Sequence, residues 1–148
     1  MENSYKKLAL AISINAVIMF FMTYVTLRSL DHFQANINRV YMALIMAAPM
    51  IIVMLLVNRA MFMNQQRNTF LIIAAVIVII LLFVGMRTQT PVGDVQFLRS
   101  MIPHHSSAIL MCEEASLTDP EIIDLCDQIV QSQEEEIQQM QRILERYR

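Results

Sequence analysis

Three long runs without a charged side chain occupy the first ninety residues, at 8–27, 40–57 and 70–86. About 20 apolar residues cross a hydrocarbon core of roughly 30 Å, and about 17 is the lower limit. The pattern therefore predicts three transmembrane helices at those positions. Lys6 and Lys7 precede the first run, as they would a secretory signal. However, the run is longer than a signal core of about 7–15 residues, and no small-x-small cleavage site follows it. Pro49 falls inside the second run and is expected to kink that helix. The connecting loops are short, so residues 1–88 read as one membrane domain in contact with a lipid bilayer.

Beyond residue 88 the pattern changes. Residues 89–93 form a linker in which Pro91 and Gly93 stop the third helix, and Asp94 is placed to cap the next. Apolar positions then recur at helical spacing to about residue 117. Thr118-Asp119-Pro120-Glu121 is a turn and start signal, with Asp119 as cap and proline at the first helical position. Ile122, Cys126, Ile129, Gln133, Ile137, Met140 and Leu144 carry one stripe through a second helix. No strand pattern appears. The expected fold is all-α, with three transmembrane helices followed by a helical hairpin over 94–148. Some fifty residues cannot bury both stripes of such a hairpin. It is expected to dimerise into a four-helix, ferritin-like bundle, or else to dock on its own membrane helices.

Charge sharpens the division. Residues 1–90 hold seven Lys/Arg against two Asp/Glu, and residues 91–148 hold four against eleven. An acidic module argues against nucleic acid and suits attraction of cations. Lys6, Lys7, Arg59 and Arg67 flank one side of the predicted spans; Arg28, Arg39 and Arg87 flank the other. By the positive-inside rule this puts the amino terminus in the cytoplasm and the module outside it, at a bacterial inner membrane.

Candidate chemistry lies in the first helix of the hairpin. At 100° per residue, Asp94, Phe97, Leu98, Met101, His104, His105, Ala108, Met111 and Cys112 share one face. A core face would thus carry imidazole, thioether and thiol groups, which bind soft or borderline metals. Thioether with imidazole suits Cu(I), or Ag(I) as its mimic. Adjacent histidines point 100° apart, so one is expected to face inward and the other to serve a second metal, a dimer mate or a supporting hydrogen bond. An antiparallel hairpin turning near Asp119 pairs residues whose numbers sum to about 238. Cys112 then falls level with Cys126, His105 with Gln133, Met101 with Glu136, and Leu98 with Met140. Met101, His104, His105, Met111 and Met140 are the expected metal residues. Asp94, Cys112, Cys126, Gln133 and Glu136 are candidates for ligation or support, and His32 in the first loop is an accessory candidate.

Each has a plainer reading. The histidines could be satisfied or surface side chains, and Asp31-His32 a solvated loop pair. The cysteines could be small core residues, a thiolate pair, or a disulfide. The last requires Cα atoms within about 7 Å, closer than the usual 8–10 Å between helix axes. Met42, Met46, Met50 and Met54 recur every four residues in the second span, which adaptable membrane packing explains without copper. No Glu-x-x-His or His-Glu-x-x-His occurs, so neither a di-iron bundle nor a zinc hydrolase is supported.

Asp94-x-x-Phe97, Met101-Ile-x-His104-His105-x-x-Ala108-x-x-Met111 and Gln133-x-x-Glu136-Ile137-x-x-Met140 resemble the domain of unknown function numbered 305. The resemblance covers roughly the last third of the chain. It implies a helical, ferritin-like bundle, and some members of that family bind copper in the bacterial periplasm. Cys112 departs from it, standing where a small residue such as alanine is expected. The expectation is a membrane-anchored Cu(I)/Ag(I)-binding protein for metal homeostasis or tolerance outside the cytoplasm, possessing a copper-handling protein partner and no enzymatic activity. Copper redox turnover is a lesser reading. The alternative is a membrane oligomerisation module whose bundle holds no metal.

Overall fold

The computed structural model describes residues 2–147; Met1 and Arg148, the outermost positions of the expected membrane domain and module, lie outside the described residues. The chain is all-α, and no strand occurs among the described residues. Among the described residues six helices follow in order: α1 (Glu2–Met22), α2 (Ile37–Ala47), α3 (Pro49–Val57), α4 (Gln65–Thr88), α5 (Asp94–Glu114) and α6 (Pro120–Glu145), with a 3-10 turn at Leu30–His32. Three stretches are long and apolar enough to cross a membrane: Asn3–Met22, Ile37–Val57 and Gln65–Thr88.

The spans differ from the uncharged runs at their ends, for local reasons. The first run continues to residue 27, but α1 stops at Met22. The Thr23 hydroxyl donates to the Phe20 carbonyl at 2.7 Å, and the Tyr24 hydroxyl donates to the Gln34 carbonyl at 2.8 Å, turning the chain into a loop. The second span is interrupted only at Ala48, whose backbone stays helical and donates to the Leu44 carbonyl at 2.8 Å, while Pro49 has no N–H to continue α2 and begins α3. The third span starts five residues earlier than its apolar run. The Asn64 side chain caps α4 by accepting from the Arg67 N–H at 2.9 Å, so the polar residues 65–69 become its first turns.

The described residues form two compact units. One holds the residues up to Thr23 and Asn38–Pro91; the other holds Tyr24–Ile37 and the chain from Val92 onward. The first loop of the expected 1–88 membrane domain therefore belongs to the unit that contains the hairpin. In the membrane unit, Leu8, Leu55 and Phe62 form a buried cluster with Tyr5, Ile51, Leu71 and Ile72 packed around it. The Tyr5 hydroxyl donates to Asn68 Oδ1 at 2.8 Å, which ties the start of α1 to the start of α4.

In the second unit, Leu98, Ile102 and Ile109 of α5 pack against Ile137, Met140 and Leu144 of α6. Gly93, not Asp94, is the N-cap of α5; Asp94 sits in the first turn, where its charge suits the helix dipole. α5 ends at Glu114, and Asp119 caps α6 with its Oδ1 accepting from the Glu121 N–H at 2.9 Å.

The segment Tyr24–Ile37 folds onto α5, and Pro103 is one reason. Proline has no N–H for the Arg99 carbonyl, and Asn36 Nδ2 donates to that carbonyl at 3.1 Å instead. A buried carbonyl left unmet costs about 1–3 kcal/mol, and Asn36 is itself buried. Nearby, the Ile37 N–H donates to Gln96 Oε1 at 3.0 Å. The buried arc of α5 is thus wider than its apolar stripe, since one side meets α6 and the other meets the loop.

Candidate functional site

The loop reaches the centre of α5 through Arg28 and His32. Ser106 is completely buried; its Oγ accepts the Arg28 backbone N–H at 3.0 Å and lies 2.9 Å from His32 Nδ1. Oγ has a second lone pair as well as its own hydrogen, so the ring tautomer sets which of Oγ and Nδ1 donates. The Arg28 guanidinium bridges the two helices, pairing with Glu113 of α5 at 2.6 Å and with Glu134 of α6. Glu134 first, then Glu113, raise the Arg28 pKa further above its ordinary value. His32 is therefore not a solvated loop residue. Its place beside Ser106 looks like the start of a nucleophilic dyad, yet a hydroxyl with no exposed surface cannot meet a substrate.

Burial pushes the His32 pKa below its ordinary value of 6.5, with Arg28 acting in the same direction and Asp31 and Glu134 opposing. The folded ring binds a proton less readily than the unfolded one. Its contribution to stability is complete above about pH 6.5 and is lost as pH falls through the lowered folded value. The unfolding midpoint of this unit should drop between pH 7 and pH 5, and His32→Asn should flatten that dependence. An equal slope in the variant would remove His32 as its source.

His105 is buried, and both of its ring nitrogens are engaged. Nδ1 lies 2.9 Å from the Met101 carbonyl, and Nε2 lies 2.6 Å from Glu136 Oε2. A carbonyl only accepts, so Nδ1 donates to Met101, and Nε2 faces the Glu136 carboxyl group. The partner of His105 is Glu136 rather than the expected Gln133, whose Oε1 is buried and takes no hydrogen bond among the described residues. Side-chain direction explains the offset. The disulfide partners Cys112 and Cys126 sum to 238, but His105 and Glu136 sum to 241. Helical side chains lean toward their own N-terminus. In an antiparallel pair, a lean of about one to two residues on each side raises the meeting sum by roughly three.

The burial of α5 also corrects the expected inner face. Leu98, Ile102, His105 and Ile109 point to α6, whereas Phe97 and Met111 are 52% and 68% exposed and His104 is exposed. The core-facing direction is rotated by about 80° from the face that gathered the sulfur and imidazole groups. Phe97, His104 and Met111 are spaced by seven residues, and Met101 and Ala108, both half-buried, lie beside them. These five make a heptad-like strip along α5, outward at Phe97, His104 and Met111 and reaching the hairpin core at Met101, which packs against it.

The candidate metal residues are therefore divided. Met101, His104 and Met111 share the strip. His105 lies around the helix from it, held by Glu136. Met140 is in the hairpin core, where its side chain packs with Ile102 and Leu144. Asp94 is ten residues before His104, about 15 Å along the helix, and accepts from the Tyr147 hydroxyl at 3.4 Å. Among the described residues no three His, Cys, Asp or Glu side chains converge as a metal cluster. His32 meets Ser106 and joins no such cluster.

The cysteines are neither core thiols nor a thiolate pair. Cys112 and Cys126 form a disulfide with Cα atoms 5.3 Å apart. The usual spacing of helix axes does not apply here, because the connection from 115 to 119 is short and draws the two helices together. Sequence reasoning also missed Arg28, Asn36 and Ser106. Only the uncapped Arg99 carbonyl before Pro103 hinted that something must dock there.

Residues 85–144 match the family described as Domain of unknown function (DUF305). An uncharacterised protein of Acanthamoeba polyphaga mimivirus is 44% identical over 62 residues, covering 40% of this chain and 41% of that protein. The chain thus spans less than half the length of that relative. No solved structure matches the chain. The buried His105–Glu136 pair and the outward His–Met strip both lie within the stretch that matches this family, and helices apolar enough to cross a membrane precede them.

Proposed function

We propose that this chain is a membrane-anchored Cu(I)-binding protein of metal homeostasis or tolerance, with its α5–α6 unit outside the cytoplasm. The observation that carries this reading is the strip on which exposed His104 stands between half-buried Met101 and exposed Met111. Imidazole with thioether is a soft donor set that suits Cu(I) or Ag(I). The fit is partial within one protomer. His104 stands one turn from Met101, whereas Met111 lies about 10 Å from His104 and about 15 Å from Met101 along the helix, so no single ion meets all three; His105, Met140 and the two cysteines are engaged elsewhere. His105 orients α5 through its hydrogen bonds and is a support rather than a ligand.

Two further observations support the finer parts of the proposal. A disulfide persists in oxidising compartments, which suits a unit outside the cytoplasm of a bacterial cell. The strip is a heptad-like seam with no partner among the described residues, and Ile122, Ile123 and Leu125 are also exposed. A second copy packed on the seam makes a homodimeric four-helix bundle and brings a second His104 to the metal. A soluble copper-handling protein is the other partner that an open strip would serve. The same exposed seam favours a second reading, a membrane oligomerisation module without metal.

The test is a Cu(I) titration of the full chain in detergent against a chromophoric chelator, with Ag(I) as the mimic. The double variant His104→Ala, Met111→Ala should weaken binding at least tenfold, and His105→Gln should weaken it far less. Unchanged affinity in the double variant sinks the copper reading. A metal-independent dimer that competes with no chelator establishes the oligomerisation reading instead.

A further inference from the structure

The membrane unit carries a cleft that copper binding does not use. It lies at the end where α1 and α4 begin and α3 stops, and it encloses about 310 Å3. Its accessible apolar wall is formed by exposed Leu56 and Met63 with Ile72 leading along α4, backed by Leu55 and Phe62, which are buried in the unit's core. Its rim is polar, formed by Arg59, Gln65 and Thr69. The wall is held in place, because Asn68 Nδ2 donates to the Phe62 carbonyl at 2.6 Å while Asn68 Oδ1 accepts from Tyr5. Arg59 is exposed and makes no ion pair among the described residues.

Position and charge identify the occupant. Arg59 follows the span that ends at Val57, and Gln65 opens the span that runs to Thr88, so the cleft sits where hydrocarbon gives way to water. Lys6, Lys7, Arg59 and Arg67 all belong to this end, and Glu2 is the only carboxylate in residues 1–23 and 38–91. A cation on the rim beside an apolar wall matches a molecule with a phosphate at one end and methylenes at the other. A free phosphate would leave the apolar wall without a partner; a zwitterionic lipid carries its own cation and would gain little from the net positive charge of this end. Basic pockets between transmembrane helices bind anionic headgroups for these reasons.

We infer that the cleft at Arg59 binds an anionic glycerophospholipid, its phosphate on the Arg59–Gln65–Thr69 rim and the start of its acyl chains along Leu56 and Ile72. The interaction does not depend on metal and holds whether or not the α5 strip binds copper.

The experiment uses the full chain in bilayers of phosphatidylcholine with and without phosphatidylglycerol. It reads retained lipid by native mass spectrometry and relative association by spin-labelled lipids. The wild-type chain should prefer phosphatidylglycerol about fivefold, the factor equivalent to ~1 kcal/mol for one cation near the surface. Arg59→Gln should bring that preference close to one, and Arg59→Lys should restore most of it. Arg87→Gln, at the opposite end of α4, should leave it intact. An unchanged preference in Arg59→Gln, or an equal loss in Arg87→Gln, overturns a defined site in favour of diffuse charge. Displacement of the labelled lipid by millimolar glycerol phosphate also overturns the proposal, since it would make a soluble phosphate the ligand.

Discussion

Reducing the Cys112–Cys126 bond should lower the stability of the α5–α6 unit by about 3 kcal/mol, the loop-entropy value for a closed loop near 15 residues. The two cysteines are 14 residues apart in sequence. The closed segment has little else to hold it. Ile122, Ile123 and Leu125 are exposed, and the hairpin core begins only at Ile109 and Val130. Without the bond, that segment should open first while the core pairing persists. Cys112→Ser, Cys126→Ser and the double variant should all match the reduced wild-type chain, because each removes the same constraint. Urea unfolding of the purified chain with and without dithiothreitol measures this. Equal midpoints for the two redox states would mean that the bond does not form in the folded protein.

Ile102→Ala should cost 2–5 kcal/mol, the range for deleting a buried branched side chain when its surroundings cannot collapse into the space. Ile102 is completely buried, one turn from His105, and sits in the cluster with Leu98, Ile137 and Met140. Collapse is restricted from both sides. α6 packs one flank of α5, and the loop anchored by Asn36 and Arg28 packs the other. Ile102→Val should cost only about 0.5–1.5 kcal/mol. Met111→Ala should leave the midpoint nearly unchanged, since Met111 is 68% exposed and surface changes usually stay within about 0.5 kcal/mol. The contrast separates residues that build the scaffold from those left on the strip. If Met111→Ala proved as costly as Ile102→Ala, the strip would be covered, and a second copy is the candidate to cover it.

The effects divide along the same line as the chemistry. His105 is a histidine the scaffold needs, because its hydrogen bonds join the α5 backbone to α6. His104, its neighbour in sequence, takes no part in that scaffold and is open to a ligand. A single helical step of 100° separates the two roles.

Much of this was legible in the order of the residues. Uncharged runs near 20 residues long mark three spans, since unpaired charge is costly in hydrocarbon whatever the tertiary structure. Pro91, Gly93 and the Asp119-Pro120 signal mark the start of each hairpin helix, because proline and the cap act on their own backbone within one turn. The motif around His104 and His105 marks the stretch that matches the DUF305 family without any coordinates. What periodicity could not decide is which way α5 faces. A helix with two packing partners buries a broad arc, and the sulfur and imidazole groups gather on a face about 80° from its centre. The docking of residues 24–37, the pairing of His105 with Glu136 and the Cys112–Cys126 bond depend on residues between 14 and 106 positions apart. Local rules specify helices and their ends, because those interactions are made within a few residues. Which side chains meet across helices, and which remain free for a metal, was decided only when packing fixed rotation, lean and register.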